Sequence, residues 1–415
     1  MSNYYKFLDD QINAVLGVNL GFNNLIASGL YTFEKQVLEG FFKRYDLIKK
    51  FQEITLSLFK ASLRGEFDPE LAEFVINELP NSQGWNYHQQ LTERQHHTPV
   101  FFRTDEVVPG KISEIQCPGS SWGLYEQIYH FYQNHHSDFG EQVTFPKSLA
   151  AAFSDTVKQS VNAEPCIHHL LDNASIPHGM RFFIQSTRKH NLKYYGYDKD
   201  VTPYNCNFIR SHDFVSLFYN NFAKQRLADC ENLLLRYDLP PTALFEQKVI
   251  MSFPFWEKTR DYYSDEIRSL FPYTQIIRPE GFLLEDGCKI CINDYIKLSR
   301  KKRSYYLKYA GCDVSKNWGS KGVFFAGSLS KIKINEIFSE IINGYANKKF
   351  WIIQKSYLED NTVNYLMRND DAKTIKAHSK YSGFYGPNGL MGIIIMERPF
   401  YKVHGNVDTI MSLCK

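Results

Sequence analysis

Residues 99–117 read PVFFRTDEVVPGKISEIQC, and this stretch constrains the fold more than any other. The apolar approach before residue 103 and the alternation of apolar and polar residues from 112 to 117 predict two short β-strands. The pair Pro109-Gly110 between them is a turn signal. The stretch therefore predicts a β-hairpin, in which side chains two positions apart share a face.

Four polar side chains of this hairpin are candidates for a site. Arg103 and Asp105 share a face of the first strand, and Glu114 and Gln116 share a face of the second. Oxygen-rich clusters without sulfur favour hard cations, and Mg²⁺ is usually held by one or two carboxylates together with phosphate oxygens. The pattern predicts a magnesium site at Asp105, Glu114 and Gln116 with a nucleotide beside it. The alternative is the solvated face of an ordinary edge hairpin.

A second constellation lies at residues 304–326, in the order strand, glycine-bearing loop, strand. The first run, SYYLKY, carries Lys308, and the loop includes Gly319, Ser320, Lys321 and Gly322. Glycines let a loop approach a ligand closely and present N–H groups to phosphate oxygens, while lysines supply positive charge. The loop predicts a phosphate cover but not a P-loop, because the G-x-x-x-x-G-K-[ST] string is absent and no helix is expected to open after the last glycine.

The chain continues with helical spacing of apolar residues from 334 to 345 and an apolar strand at 350–355. The polar residues from 354 onward, including Tyr357, form a hinge. The order strand with lysine, glycine loop, strand, helix, strand and hinge resembles the nucleotide-clamping subdomain of ATP-grasp enzymes.

The two constellations together resemble the circularly permuted ATP-grasp ligases, similar to the synthetase domain of glutathionylspermidine synthase, in which the metal-binding hairpin precedes the clamp. That family carries R-x-D, a stretch with glycine, and E-x-N; this chain has Arg103-Thr-Asp105, Gly110 and Glu114-Ile-Gln116. It departs from the family at Gln116, where asparagine is usual. At the hinge it keeps a glutamine but has a lysine next to it where an acid is usual.

The resemblance implies an α/β (α+β) ATP-grasp fold with permuted subdomain order, and a nucleotide held between two antiparallel-sheet subdomains. It also implies ATP and Mg²⁺ as cofactors. The implied catalytic residues are Arg103 and Lys308, and the implied metal ligands are Asp105, Glu114 and Gln116. The implied nucleotide-binding residues are Lys308, Gly319, Ser320, Lys321, Gly322, Gln354, Lys355 and Tyr357.

The implied activity is an ATP-dependent carboxylate-amine ligase that forms an amide through an acyl phosphate and releases ADP and phosphate. Its substrates are small-molecule or peptide carboxylates and amines. Two alternatives remain open at this point. An ATP-grasp-type kinase would phosphorylate a hydroxyl with the same residues, and a catalytically degenerate protein would bind the nucleotide without turnover.

The expected organisation follows from the positions of the two constellations. The segments are an N-terminal helical region at 1–98, the metal-binding hairpin of the central domain at 99–130, an α/β central region at 131–300, the nucleotide clamp at 301–360 and a C-terminal closure of the central domain at 361–415. In the α/β region, apolar runs at 181–184 and 249–253 alternate with stretches of helical spacing such as 214–235.

The C-terminal region has three informative parts. Residues 391–396 form a buried strand by composition, and 383–389 read as a mobile turn cluster. The resemblance implies that the last segment closes the central domain. Arg398, Lys402 and His404 are therefore candidates for substrate contact, and a solvated tail is the alternative.

Composition sets broad limits. A chain of 415 residues with 43% hydrophobic residues suits several packed subdomains, and a formal charge of +3 indicates neither a nucleic acid nor an anionic membrane as partner. The eight cysteines lack the density of a disulfide framework, and Cys288-x-x-Cys291 has no second pair to complete a zinc site. With acids near the N-terminus and no apolar run of membrane length, a cytoplasmic protein is expected. The oligomeric state is left open.

Overall fold

The computed structural model of this chain describes residues 3–16, 22, 24–76, 98–117, 121–135, 148–160, 166–170, 178–195, 208–211, 236–237, 243–311, 313–317, 320–369, 371–405 and 408–415. Two features of the sequence analysis, Gly319 and the helical spacing at 214–235, lie outside these ranges. The structure is a mixed α/β fold with one large mixed sheet and three smaller sheets.

The helices of the described chain lie between residues 3 and 346. They are α1 (Asn3–Leu16), α2 (Lys35–Leu63), α3 (Pro69–Ile76), α4 (Trp122–Asn134), α5 (Leu149–Ser160), α6 (His178–Lys189), α7 (Asp265–Ser269), α8 (Ile292–Lys297), α9 (Val314–Asn317) and α10 (Lys331–Ala346). Short 3-10 helices lie at Ala243–Glu246, Lys248–Phe255, Arg260–Tyr262, Arg300–Lys302 and Ala326–Ser328.

The strands are numbered here in chain order. They are β1 (Leu25–Ala27), β2 (Phe102–Val108), β3 (Lys111–Gln116), β4 (Cys166–Leu170), β5 (Lys193–Tyr195), β6 (Phe208–Ser211), β7 (Arg236–Tyr237), β8 (Thr274–Ile276), β9 (Phe282–Leu283), β10 (Lys289–Ile290), β11 (Tyr305–Tyr309), β12 (Val323–Phe325), β13 (Trp351–Lys355), β14 (Asp360–Leu366), β15 (Ala372–Gly386), β16 (Gly389–Arg398) and β17 (Ile410–Leu413). The predicted hairpin is confirmed as β2 and β3, which pair antiparallel.

The large sheet has seven strands in the order β14, β1, β17, β16, β15, β2, β3. Its longest strand, β15, changes partner along one edge. Residues 372–378 pair with β14, and residues 381–385 pair with β2. The change leaves Ser379 and Lys380 at the junction between the two partner strands, and the candidate site lies there.

Alternating residues of β16 fill cores on the two faces of this sheet. Ile393 and Ile395 belong to the core that includes Phe51 and Phe59 of α2. Ile394, one position along, belongs to the opposite core, built with α4, α5 and α6. This alternation is the side-chain period of a strand buried on both faces, so the predicted buried strand at 391–396 is confirmed.

A four-stranded sheet, here called the clamp sheet, has the order β12, β11, β13, β8 and is antiparallel throughout. Leu307 and Ile353 pack with Phe338 of α10 on one face. Helix α10 begins at the N-cap Ser330, whose hydroxyl accepts from the Lys333 N–H. The other face presents Tyr306 and Lys308, since neighbouring side chains of a strand alternate. The predicted strand, loop, strand, helix, strand order is confirmed.

The central region departs from its sequence pattern in two places. Residues 181–184 lie in helix α6, and 249–253 lie in a 3-10 helix. The parallel strands of this region are instead β4 to β7, in the order β5, β4, β6, β7. Short apolar runs occur in buried helices as well as strands, so periodicity alone did not separate them.

The turn cluster expected at 383–389 is a β-hairpin. Strand β15 continues to Gly386 and β16 begins at Gly389, so only two residues form the turn. Gly389 has a φ of +92°, which L side chains rarely adopt, and this explains the glycine at the end of the turn. The other glycines of the cluster serve packing, because a Cβ at Gly383 or Gly386 would meet neighbouring side chains.

Candidate functional site

A cavity, here called the inner cavity, lies between the large sheet and the clamp sheet where β15 changes partner. Its volume is about 80 Å³. This is space for roughly 5–8 water molecules, which is the scale of a phosphate or carboxylate group and smaller than a whole nucleotide. Its charged lining consists of Asp105, Glu114, Lys248, Lys308, Glu359, His378, Lys380 and Lys402.

Asp105 is the most enclosed carboxylate of the lining, with 1% of its surface exposed. Arg103 donates to both carboxylate oxygens, from Nε to Oδ1 at 2.8 Å and from Nη2 to Oδ2 at 3.0 Å. Lys380 donates to Oδ2 at 3.0 Å, and Ser382 donates to Oδ1 at 2.8 Å. Burial raises the pKa of Asp105, but Arg103 and Lys380 outweigh burial and hold the pKa below its usual range.

Glu114 lies directly opposite Asp105 in the hairpin register. Its side chain keeps 27% exposure, and its Oε1 lies 3.3 Å from Nζ of Lys248. Burial raises the pKa of Glu114 and the neighbouring Asp105 raises it further, while Lys248 and Lys308 lower it to a net value below normal. Glu114 is therefore an ionised carboxylate that faces the cavity.

Lys308 approaches the same point from the clamp sheet. Its Nζ donates to the Ser113 carbonyl oxygen at 3.1 Å, and the residue is 7% exposed. Burial lowers the pKa of Lys308 to about 8, with Glu114 acting in the opposite direction. Lys308 therefore joins the two sheets, and its amino group remains mostly protonated at neutral pH.

The charges of the inner cavity leave an excess of positive charge. It is lined by four lysines, Lys248, Lys308, Lys380 and Lys402, and by three carboxylates, Asp105, Glu114 and Glu359. These side chains carry a net charge of +1, from four cations and three anions. A cavity of this size with excess positive charge is suited to an anionic group.

The glycine-bearing loop closes one side of the cavity. Ser320 lines it, and Lys402 from the C-terminal segment donates to the Ser320 carbonyl oxygen at 2.6 Å. Gly322 has no room for a side chain, because a Cβ there would lie 2.7 Å from Cβ of Tyr309. Lys321 is exposed. Lys402, one of the three residues of the C-terminal region named as candidates for substrate contact, therefore lines the inner cavity.

A second, wider cavity adjoins the first and is here called the outer cavity. Its volume is about 640 Å³, and it shares Val323, Leu358, His378, Tyr401 and Lys402 with the inner cavity. Phe325 and Tyr401 line it with ring centroids 4.8 Å apart. The two cavities together give a charged end and an aromatic end.

The predicted hinge residues have different surroundings. Gln354 is 1% exposed, and its amide donates to the Thr274 hydroxyl at 3.1 Å, which joins β13 to β8. Nζ of Lys355 lies 3.5 Å from Oε2 of Glu285. Of the predicted hinge residues in the described chain, Tyr357 lines the inner cavity, whereas Gln354 and Lys355 do not.

Arg103 and Gln116 lie directly opposite each other in the hairpin register. Arg103 is 2% exposed and holds Asp105, and it is absent from the described lining of the inner cavity, as is Gln116. The arrangement gives Arg103 a positioning role toward Asp105. It brings Asp105 and Glu114 to the cavity without Gln116.

Two lysines of the site, Lys248 and Lys380, were missed by the sequence analysis. Lys248 begins a 3-10 helix, and Lys380 lies on β15, 275 residues from its partner Asp105. The available signal was a lysine directly before a buried run of a strand, residues 381–386. A buried lysine needs an acidic partner, but sequence spacing does not name it.

The residues predicted to bind magnesium do not fit that ion in this arrangement. The four donors to Asp105 match the four lone-pair sites of a carboxylate, so none remains for a metal. Within the described ranges, no group of three or more His, Cys, Asp or Glu side chains is placed to hold a metal ion.

Comparison with solved structures gives the fold. A glutathione synthetase-like effector from Globodera pallida, in its apo form, superposes with a TM-score of 0.50 at 12% identity, over 99% of this chain and 96% of that chain. A protein provisionally named gamma-glutamylcysteine synthetase from Methylobacillus flagellatus gives a TM-score of 0.38 at 9% identity, over 87% of each chain. This chain shares its overall fold with the effector.

No protein-family model and no curated protein matches the sequence. In the described part of the chain, no helix combines the length and apolarity needed to cross a membrane.

Proposed function

We propose that this protein is an ATP-dependent ligase of the ATP-grasp type, with permuted subdomain order, that joins a carboxylate to an amine. The observation that carries the proposal is the inner cavity, where Lys308 of the clamp sheet and Lys380 of the large sheet converge. Lysines from two sheets suit the binding of phosphates between those sheets. The fold shared with a glutathione synthetase-like protein supports the same chemistry.

The two cavities divide the nucleotide. The inner cavity, about 80 Å³ and positively charged, takes the terminal phosphate. The outer cavity, about 640 Å³, takes the bulkier part of the nucleotide against Phe325 and Tyr401. Aromatic faces favour planar ligands through stacking. The carboxylate and amine substrates are small molecules or peptides that enter beside the terminal phosphate.

The proposed reaction has two steps. A carboxylate oxygen attacks the γ-phosphorus of ATP, the bond to the bridging oxygen breaks, and ADP leaves. The amine nitrogen then attacks the carbonyl carbon of the acyl phosphate and loses a proton, and inorganic phosphate leaves as the amide forms. Lys308 and Lys380 stabilise negative charge on the transferred phosphoryl oxygens. Arg103 acts indirectly, since it orients Asp105, which holds Lys380.

The experiment is a steady-state assay of ADP release with panels of amino-acid and peptide carboxylates and amines. We expect release that requires both substrates, and a loss of at least about 100-fold in kcat/KM for Lys308→Ala, the scale of removing one transition-state contact. Lys333→Ala is the matched control, because Lys333 is an exposed lysine of α10 paired with Glu336. ADP release unaffected by Lys308→Ala would contradict the proposal.

A second candidate function is nucleotide binding without turnover. The observation that favours it is Asp105, whose oxygens are fully engaged by protein donors. Under this candidate, ATP binds with an affinity that depends on Lys308, while no pair of carboxylate and amine releases ADP. Calorimetric titration of a nonhydrolysable ATP analogue, run beside the assay, separates the two functions.

A further inference from the structure

The hairpin carboxylates offer little to a metal ion, because protein cations already occupy the positions around them. Lys380 and Arg103 together use three of the four acceptor sites of Asp105, and Ser382 uses the fourth. A divalent ion at this carboxylate must first displace an ammonium or a guanidinium group.

Glu114 alone does not compensate for this. Its Oε1 lies 3.3 Å from Nζ of Lys248. An ion placed between Asp105 and Glu114 would meet Lys248, Lys308 and Lys380, which all line the same cavity of about 80 Å³. Like charges within a cavity of this size repel one another.

The same lysines provide what a metal usually supplies to a phosphate. A divalent ion would add positive charge beside a phosphate, and the lysines that line the inner cavity already exceed its carboxylates by one. Lysine ammonium groups bind phosphate as compact point charges. Positive charge for the ligand is thus built into the chain.

We infer that the inner cavity binds the terminal phosphate of a nucleotide directly through Lys248, Lys308 and Lys380, without magnesium. The inference rests on the proposed function, because it takes the phosphate to be that of ATP. It differs from the prediction made from the hairpin sequence, in which the acidic residues hold a magnesium ion.

The test is calorimetric titration of ATP into the native protein, once in excess EDTA and once in excess Mg²⁺. We expect an affinity in EDTA equal to or higher than that in Mg²⁺, because magnesium neutralises the phosphate charge that the lysines bind. Affinity at least about tenfold higher in Mg²⁺, equivalent to 1.4 kcal/mol, would overturn the inference and leave the proposed function standing. Absence of ATP binding in both buffers would overturn both.

Two substitutions sharpen the test because they remove the same charge from different surroundings. Lys380→Gln frees an acceptor site on Asp105 as it removes a cation. We expect about tenfold weaker binding in EDTA, recovered at least partly by Mg²⁺. Lys308→Gln frees no carboxylate acceptor, because Lys308 donates to the Ser113 carbonyl. Its loss should be similar in both buffers.

Lys333→Gln is the matched control for both variants, since it makes the same substitution on the exposed surface of α10 and should leave both titrations unchanged. Thermal unfolding of each variant confirms the folded state before titration. If Lys380→Gln unfolds, Lys380→Arg replaces it. That variant keeps the charge on Asp105, and it should retain binding in EDTA within about threefold. Magnesium dependence in the Arg variant would count against the inference.

Discussion

Two carboxylates that are almost equally buried lie on opposite edges of β15 and have opposite electrostatic properties. Asp105 on β2 is 1% exposed, and Glu397 on β16 is 2% exposed. Each accepts a hydrogen bond from the serine directly opposite in register, Ser382 at 2.8 Å and Ser379 at 2.9 Å. Their pKa values nevertheless shift in opposite directions.

The difference lies in the cations. Asp105 contacts Arg103 and Lys380, and these hold its pKa below the usual range despite burial. Burial raises the pKa of Glu397 to about 7, and the Ser379 hydrogen bond only moderates the increase. Burial by itself therefore does not define an ionised acidic site. Neighbouring cations decide whether a buried carboxylate stays ionised. Asp105 has such cations and holds Lys380 at the inner cavity.

The largest effect is expected from Asp105→Ala. The substitution leaves Arg103 buried at 2% exposure without its carboxylate. Breaking a buried pair by removing one partner costs about 3–5 kcal/mol. We expect a decrease of that size in the free energy of unfolding, measured by urea denaturation at pH 7. Glu114→Ala is the control, because Glu114 keeps 27% exposure, and a similar loss there would contradict the contrast.

Glu397→Gln should have the opposite effect and increase the free energy of unfolding. A carboxyl group with a folded-state pKa of about 7 and an ordinary value of 4.5 contributes stability below pH 4.5, and this contribution is lost as the pH rises through 7. Glutamine does not ionise, so it avoids the cost of ionising a buried carboxyl group. We therefore expect a gain of up to about 3 kcal/mol at pH 8 and little change at pH 4, from 1.36 kcal/mol per pKa unit.

Urea denaturation of the native protein and Glu397→Gln across pH 4–8 provides the measurement. If the free energy of unfolding of the two proteins differs by the same amount at every pH, Glu397 titrates normally. That result would contradict the contrast with Asp105.

The Lys308 ammonium should make ATP binding sensitive to alkaline pH. With a folded-state pKa of about 8, it loses its proton as the pH rises from 7 to 9. We expect affinity for ATP to fall several-fold over that range, measured by calorimetry in EDTA. The free energy of unfolding should instead rise with pH, because the unfolded chain binds more protons than the folded chain between pH 8 and 10.5.

Lys308→Arg is the control for this pH dependence, because arginine stays charged throughout the range. Its affinity should stay nearly constant from pH 7 to 9. An equal decline in the Arg variant would assign the titration to another group.

Among the substitutions that change stability, the smallest effects are expected at the serines. Ser382→Ala removes a hydrogen bond to a charged carboxylate, which is worth about 1.5–3 kcal/mol. Ser379→Ala removes one from a carboxyl group that is close to half protonated at neutral pH, and such a bond is worth about 0.5–1.5 kcal/mol. Unfolding of both variants at pH 7 measures the difference. Equal losses would indicate that the two carboxyl groups have the same charge.

Much of the secondary structure could be predicted from local pattern. The turn pair at 109–110 and the alternation around it gave the hairpin, and the period of the apolar residues gave helix α10. The shared face of Arg103 and Asp105 followed from the two-residue period of a strand. Where an apolar run had no period, as at 181–184, local pattern did not separate helix from strand.

The site was predictable only in part, for a physical reason. Local sequence was sufficient to predict which residues alternate on a strand and where glycine permits a turn, because these depend on neighbours along the chain. The contact of Lys380 with Asp105 across 275 residues, and the hydrogen bond from the Gln354 amide to Thr274, exist only in the folded chain. Electrostatic balance depends on distances in space, so the same acidic hairpin that suggests a metal site becomes, beside three lysines, a site for an anion.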